Sequence, residues 1–354
     1  MEFLSISQGA IEKAAACLRN GGLVAFPTET VYGLGADAFN LNALARVFDA
    51  KGRPRFDPLI IHIAAIETLE KIVDLSLLND AAKKNLAVLA ETFWPGPLTL
   101  ILPKQKTVPD LATSGLPTVA VRFPDHPAAL RLIALSGGAV AAPSANPFGY
   151  LSPTLAEHVR DQLGGKVDII LDGGLAKVGV ESTVLDITGK RPRLLRPGGV
   201  PIERLEALIG TVELPSGKIA KAAGETAGSD THVGLPSPGL LKSHYAPRAS
   251  VSVYSAPDII ALHTTASKVD KIAFLFFDAL TRDAWLIGQR EKVPLFMTLS
   301  EQGYLLEAAA NLFQFLHELD KPKITRIFAQ LAPEKGLGVA INDRLMRAAS
   351  KTPA

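Results

Sequence analysis

The sequence predicts an α/β protein of two domains, the first built on a sheet covered by helices on at least one face and the second a smaller α/β unit. Three observations predict it. Short apolar runs of strand length alternate with amphipathic helical patterns through residues 1–210. The composition then breaks abruptly between 215 and 240. The 354 residues are 47% hydrophobic, ample for more than one core at roughly 150 residues per domain.

In chain order, Ile11 to Arg19 reads as an amphipathic helix stopped by Asn20-Gly21-Gly22. Leu23 to Phe26 is a buried strand ending at Pro27. Asn42 to Ala50 is helical, Leu59 to Ile63 a strand, and helices follow at Ile66–Ile72 and Ala81–Thr92. Leu98–Leu102, Thr118–Val121 and Ala139–Ala142 are further strands. Ser152-Pro153-Thr154 reads as a cap on a helix running from Leu155 to Leu163. Asp168–Leu171 and Ser182–Ile187 complete the strands of a domain over 1–210.

From Pro215 to Leu240, five glycines, three prolines, four alanines and five Ser/Thr occur without an aromatic residue. That composition cannot anchor a core, and it predicts a linker over 211–249. The second domain, 250–354, carries strands at Ser250–Val253, Lys271–Phe277 and Ile324–Gln330. A long helix from Glu301 to Leu319 puts Leu305, Leu306, Ala309, Leu312, Phe313 and Leu316 on one face. There is no internal repeat.

Composition excludes several classes. The lone Cys17 rules out an intramolecular disulfide framework, and no Cys/His cluster has zinc-site spacing. The first ten residues show no basic region ahead of an apolar core, so no signal peptide is expected. The longest uncharged run, Leu132 to Ala156, contains Pro143, Pro147 and Pro153 and reads as a strand and loop, not a membrane span. A soluble cytoplasmic protein is expected. Residues 1–210 hold 21 basic and 21 acidic residues, and 211–354 hold 16 and 14. Neither half is the polycation that a broad nucleic-acid surface requires.

Walker A, dinucleotide-binding, nucleophile-elbow and zinc-protease motifs are all missing. What remains is a set of strand ends carrying hydroxyls and isolated bases. Phe26-Pro27-Thr28-Glu29-Thr30-Val31-Tyr32-Gly33-Leu34-Gly35 is either a capped connection or a backbone cradle for a ligand. Lys51-Gly52-Arg53-Pro54-Arg55 packs three cations into five residues, a solvated loop or a shared anion site. Arg122 ends an otherwise buried strand and needs a partner, either an internal carboxylate or a ligand. His62 is either a satisfied core histidine or a ligand contact. Ala141-Ala142-Pro143-Ser144-Ala145-Asn146-Pro147, Glu181-Ser182-Thr183 and Leu194-Leu195-Arg196-Pro197-Gly198 each set polar groups beside a buried strand. Together they favour a polar cleft that accepts an anion. No nucleophile–base pair is present, which fits transfer at a phosphate by positioning and charge.

Pro27-Thr28-Glu29-Thr30-Val31-Tyr32-Gly33-Leu34, Lys51-Gly52-Arg53-Pro54, Trp94-Pro95-Gly96-Pro97-Leu98-Thr99, Pro143-Ser144-Ala145-Asn146, Val180-Glu181-Ser182-Thr183 and Leu195-Arg196-Pro197-Gly198 closely resemble, in order and spacing, the YrdC-like threonylcarbamoyl-AMP synthases. Ser243-His244-Tyr245-Ala246-Pro247 and Gly336 to Leu345 resemble the long form of that family, so the likeness covers nearly the whole chain. The resemblance implies a twisted mixed α/β sheet with a concave cleft, joined to a small Rossmann-like C-terminal domain. It implies condensation of L-threonine, bicarbonate or CO2, and ATP (with Mg²⁺) into threonylcarbamoyl-AMP and pyrophosphate. A partner complex then transfers the group to tRNA, giving N6-threonylcarbamoyladenosine; direct tRNA binding would be weak.

By motif, the resemblance assigns Lys51, Arg53 and Arg55 to the ATP phosphates, with Lys51 and Arg53 as the catalytic pair. It assigns Thr118, Ser144, Ser152 and Arg196 to further nucleotide contacts, with Tyr245 reaching back to the nucleotide, and the linker's polar composition ending in His244-Tyr245 suggests a lid over the site. Thr28, His62, Arg122, Ala142 through its backbone, and Ser182 would form the threonine pocket, and no protein metal ligand is expected. Two competing readings are an RNA-binding module of the same fold and a carbamoyl-adenylate-forming maturation enzyme. The zinc-finger and acylphosphatase-like segments that accompany the latter are absent from this sequence.

Overall fold

The computed structural model describes residues 1–214, 235, 244–262, 269–289 and 293–350, and most of the expected linker and lid lies outside these described residues. They form two compact units. One comprises the described residues of Met1–Phe148, Pro153–Lys177 and Glu181–Leu241. The other comprises those of Gly149–Ser152, Val178–Val180 and Lys242–Ala354, so it includes two short loops from far upstream in the chain.

The first unit is built on a mixed sheet. Its strands are β1 (Glu2–Ser5), β2 (Val24–Phe26), β3 (Gly33–Asp37), β4 (Ile60–Ile63), β5 (Leu98–Pro103), β6 (Thr118–Arg122), β7 (Ala139–Ala141), β8 (Ile169–Asp172), β9 (Thr183–Asp186) and β10 (Arg193–Arg196). They lie in the order β1-β8-β2-β3-β7-β4-β6-β5-β9-β10. The β4/β6 and β5/β9 pairs are parallel, whereas β2/β3, β4/β7, β5/β6 and β9/β10 are antiparallel. The helices are α1 (Gln8–Arg19), α2 (Leu41–Lys51), α3 (Leu69–Ile72), α4 (Asp80–Phe93), α5 (Asp110–Thr113), α6 (Pro127–Leu135), α7 (Ala156–Leu163) and α8 (Ile202–Ile209).

The two sheet faces are buried differently. One face packs Leu34, Ile61, Leu100 and Val121 against Leu44 and Val47 of α2 and Leu89 and Phe93 of α4. On the other face, α1 and α6 cover only part of the sheet, where Leu18, Ala129 and Ile133 meet Val24, Phe26 and Val140. Beyond them Ile60, Ile101, Ala120, Val184 and Leu195 form an apolar cluster made entirely of strand residues. Among the described residues, the strand alternation that fills the core on one side therefore leaves on the other a buried patch to which no helix residue contributes.

The second unit holds four parallel strands, β11 (Ser250–Tyr254), β12 (Ile272–Asp278), β13 (Leu295–Ser300) and β14 (Arg326–Gln330), in the order β11-β14-β12-β13. Parallel pairing requires crossovers. The helices are α9 (Ala256–Ile260), α10 (Ala279–Ile287), α11 (Leu305–Leu319) and α12 (Leu337–Ala349). Ile259 and Trp285 pack on Phe274 and Phe276 on one face, while α11 packs against β13 and α12 against β11. The sequence predicts a small α/β unit here but only three of these strands; β13 is not among them.

Several local readings need correction. Residues 132–135, expected in a strand and loop, instead close helix α6. The Thr-rich segment after Phe26 leads into strand β3, because Gly33 and Gly35 pair with Phe26 and Val24. Helix α7 has no side-chain cap: Leu155 occupies the cap position, and Thr154 Oγ1 is buried without a hydrogen bond. Leu306 is 75% exposed, so the buried face of α11 runs through Ala308, Ala309, Leu312, Phe313 and Leu316 instead. Among the described residues no helix is long and apolar enough to cross a membrane.

Candidate active site

Strand register builds the site on the part of the sheet whose described apolar cluster is made of strand residues alone. His62 pairs with Arg122 across β4/β6, and Thr99 pairs with Arg122 across β5/β6. Ile60 and Ile101 flank Ala120 in the same way, and Pro103 opposes Thr118. Side chains two apart share a face, so Thr118, Ala120 and Arg122 project from one side together with Ile60, His62, Thr99 and Ile101. Arg122 and Thr118 stand at opposite ends of β6, about 13 Å apart at ~3.3 Å per residue.

A cationic cluster occupies one end. Helix α2 closes with Gly52 in the left-handed conformation (φ 61°), which turns the chain sharply between Lys51 and Arg53. Lys51 Nζ donates to the Ser144 carbonyl at 2.6 Å and to the Asn146 carbonyl, tying α2 to the loop after β7. Burial, and then the charge of Arg53, hold the Lys51 ammonium well below its usual range. Arg53 Nη2 lies 2.9 Å from Asp57 Oδ2, both side chains being buried. Burial pushes the Asp57 carboxyl up, and the charges of Arg53, then Lys51, then Arg196 work against that. Lys51, Arg53 and Arg196 thus all act on the buried Asp57 carboxylate, a cluster of bases of the kind that accepts an anion.

Arg196 is anchored beside β9. Its Nε and Nη2 donate to the Ser182 carbonyl at 3.2 and 3.0 Å, and Nη2 reaches Ser182 Oγ at 3.2 Å. Ser182 Oγ lies 2.7 Å from Thr99 Oγ1, which links this end to Arg122 through the β5/β6 pair. The approach is possible because residue 198 is glycine. A Cβ there would meet Glu181 O and Ser182 C at 2.4 Å.

At the other end Arg122 Nη2 lies 2.6 Å from Glu29 Oε1, with both side chains 5% exposed. Thr28 sits in the turn before Glu29. Its hydroxyl accepts from Thr30 N and Val31 N at 3.2 Å and donates to Val31 O at 2.6 Å. His62 Nδ1 lies 3.2 Å from Ile60 O, and burial with nearby Arg122 pushes its imidazole down to about 3, so the ring is neutral. Ala142 N donates to Ile60 O at 2.9 Å, which sets the loop of Ser144 over β4.

The structure thus brings Lys51, Arg53 and Arg196 together, and Arg122, His62 and Thr28 near Glu29, with Ser182 between the groups. Arg55 is exposed, so the basic run does not converge as one triad. Ser152 and Tyr245 belong to the second unit. There Tyr245 is 1% exposed, its ring 5.6 Å from Phe313 and 5.0 Å from the Arg344 guanidinium. Sequence reasoning gave no role to Glu29 or Asp57. Both carried a signal, since an acid beside a buried strand or four residues from a buried arginine must pair with something.

Two family profiles match the chain: one described as "Telomere recombination" over residues 16–198, the other as "Threonylcarbamoyl-AMP synthase, C-terminal domain" over 200–350. The threonylcarbamoyl-AMP synthase of Pyrococcus abyssi is 42% identical over 353 residues, covering 97% of this chain and 95% of its own. That of Bacillus subtilis is 40% identical over 352 residues, covering 98% and 94%. Among solved structures, P. abyssi Sua5 complexed with L-threonine superposes with a TM-score of 0.82 at 40% identity, covering 98% of this chain and 97% of that one.

Proposed function

The chain belongs to the threonylcarbamoyl-AMP synthase family in its two-domain form, and on that premise we propose how its residues divide the reaction. It is an enzyme that joins L-threonine, bicarbonate or CO2, and ATP as L-threonylcarbamoyl-AMP, releasing pyrophosphate. The observation that carries the division of labour is the layout along β6. A buried acid–arginine pair lies at the Arg122 end, and Thr118 lies about 13 Å away on the same face. Lys51, Arg53 and Arg196 gather around Asp57 beside that face.

In this reading Arg122 takes the threonine carboxylate, with Thr28, His62, Ala142 and Ser182 shaping the pocket. The amine of threonine, once neutral, is carboxylated. A carbamate oxygen then attacks the α-phosphorus, the bond to the bridging oxygen breaks, and the electron pair leaves on pyrophosphate. Lys51, Arg53 and Arg196 hold the phosphates in line and stabilise the departing charge. Thr118 and Ser144 contact the nucleotide, and the resemblance gives Ser152, Tyr245 and exposed Arg55 the same kind of role. Among the described residues no group of three or more His, Cys, Asp or Glu could hold a metal ion. In this reading Mg²⁺ enters on the ATP phosphates as part of the substrate. The product goes to a complex that modifies tRNA in the cytoplasm, and any direct tRNA contact by this chain is weak.

Pyrophosphate release should require both threonine and bicarbonate. Lys51→Ala and Arg53→Ala should abolish it while keeping a cooperative thermal melt, with the Arg53→Ala midpoint lowered because buried Asp57 loses its partner. Release that ignores threonine would overturn the assignment.

A further inference from the structure

Glu29 is buried at the threonine end of the site with its polar atoms incompletely satisfied. Its Oε1 lies 2.6 Å from Arg122 Nη2. Yet neither carboxylate oxygen accepts a well-formed hydrogen bond, and Arg122 Nη2 donates none. Buried charges left in this condition are costly unless something completes them. The Thr28 turn fixes the backbone on either side of Glu29, and the Glu29 side chain is 5% exposed. Half-buried His126 also feels the charge of Glu29.

A group that completes this pair must offer a cation to Glu29 and an anion to Arg122 within one small span. An α-amino acid zwitterion does so, because its ammonium and carboxylate sit on neighbouring atoms of one carbon. We propose that Glu29 is the receptor for the substrate's α-ammonium group. Binding exchanges the resting Glu29–Arg122 pair for two pairs, ammonium on Glu29 and carboxylate on Arg122. The hold lasts only while the nitrogen is an ammonium, so it ends as the nitrogen is carboxylated. This inference rests on threonine being the substrate.

The test is calorimetric titration of the full chain, without ATP or bicarbonate, using L-threonine and its amine-free analogue 3-hydroxybutanoate. Wild type should prefer threonine by at least ~10-fold, the worth of one charge-assisted hydrogen bond. Glu29→Gln should lose that preference, binding threonine at least ~10-fold more weakly while 3-hydroxybutanoate changes by less than about 2-fold. Equal losses for both ligands would mean that Glu29 only aims Arg122, and would overturn the inference alone. So would unchanged threonine affinity in the variant. The wild-type comparison needs no variant to fold, and equal affinity for the two ligands there also overturns the inference. Failure of wild type to bind threonine at all would overturn the substrate reading and this inference with it.

Discussion

Arg53 Nη2 and Asp57 Oδ2 lie 2.9 Å apart with side chains 4% and 1% exposed. The same guanidinium donates to the carbonyls of Asp57 at 2.9 Å and Pro58 at 2.7 Å. Its plane is therefore set before any ligand arrives. Removing one member of a buried ion pair strands the other charge, and Asp57→Asn should cost about 3–5 kcal/mol of unfolding free energy. ATP would supply the missing negative charge, so it should raise the variant's urea midpoint more than that of wild type. A variant within about 1 kcal/mol of wild type would show that Asp57 does not hold Arg53.

Lys51 is held differently, by two carbonyls and no acid bond. A compact ammonium fits between Ser144 O and Asn146 O, whereas a planar guanidinium does not. Lys51→Arg keeps the charge and should still lose at least ~10-fold in kcat/KM for ATP, about 1.4 kcal/mol of transition-state stabilisation. The loss should exceed that of Arg55→Lys, because Arg55 is exposed. Near wild-type turnover by Lys51→Arg would make charge alone sufficient there.

Much of this was legible in the residues. Apolar runs such as Leu59–Ile63 and Leu98–Leu102 became β4 and β5 because full burial on both faces demands continuous hydrophobicity. Strand β3 escaped because Gly33-Leu34-Gly35 reads as a turn, and its pairing with β2 and β7 is a tertiary effect. The pattern of α11 was legible to within one residue, the error at Leu306 coming from counting a position that points away from β13. At the site, motif spacing singled out the basic residues as candidates. Their acids could not be matched from sequence, since Glu29 and Arg122 are 93 positions apart and meet only through the order of β3, β7, β4 and β6.

The opposed placement of Arg122 and Thr118 on β6 separates two affinities. Thr118→Val should raise the KM for ATP a few-fold, about 1 kcal/mol for one lost hydrogen bond, and leave threonine binding unchanged. Arg122→Lys should do the reverse, weakening threonine while nucleotide binding persists. Titration of each ligand separately into both variants reads this directly. Thr118→Val losing threonine affinity would contradict the layout.

His62 makes stability depend on pH with a definite sign. Its imidazole is pushed down to about 3 from 6.5, by burial first and Arg122 second. A folded value below the unfolded one means that folding favours the neutral ring. The contribution is complete above pH 6.5 and is lost progressively as pH falls toward about 3. At pH 5 the loss amounts to about 2 kcal/mol. His62→Gln removes the titration but keeps a polar side chain, so urea unfolding at pH 7 and pH 5 should show a smaller acid loss by about that amount. Carboxylates elsewhere titrate alike in both proteins and cancel in the difference. Parallel losses in wild type and variant would mean that His62 accepts a proton without cost, which its place between Phe26, Ile60 and Arg122 does not allow.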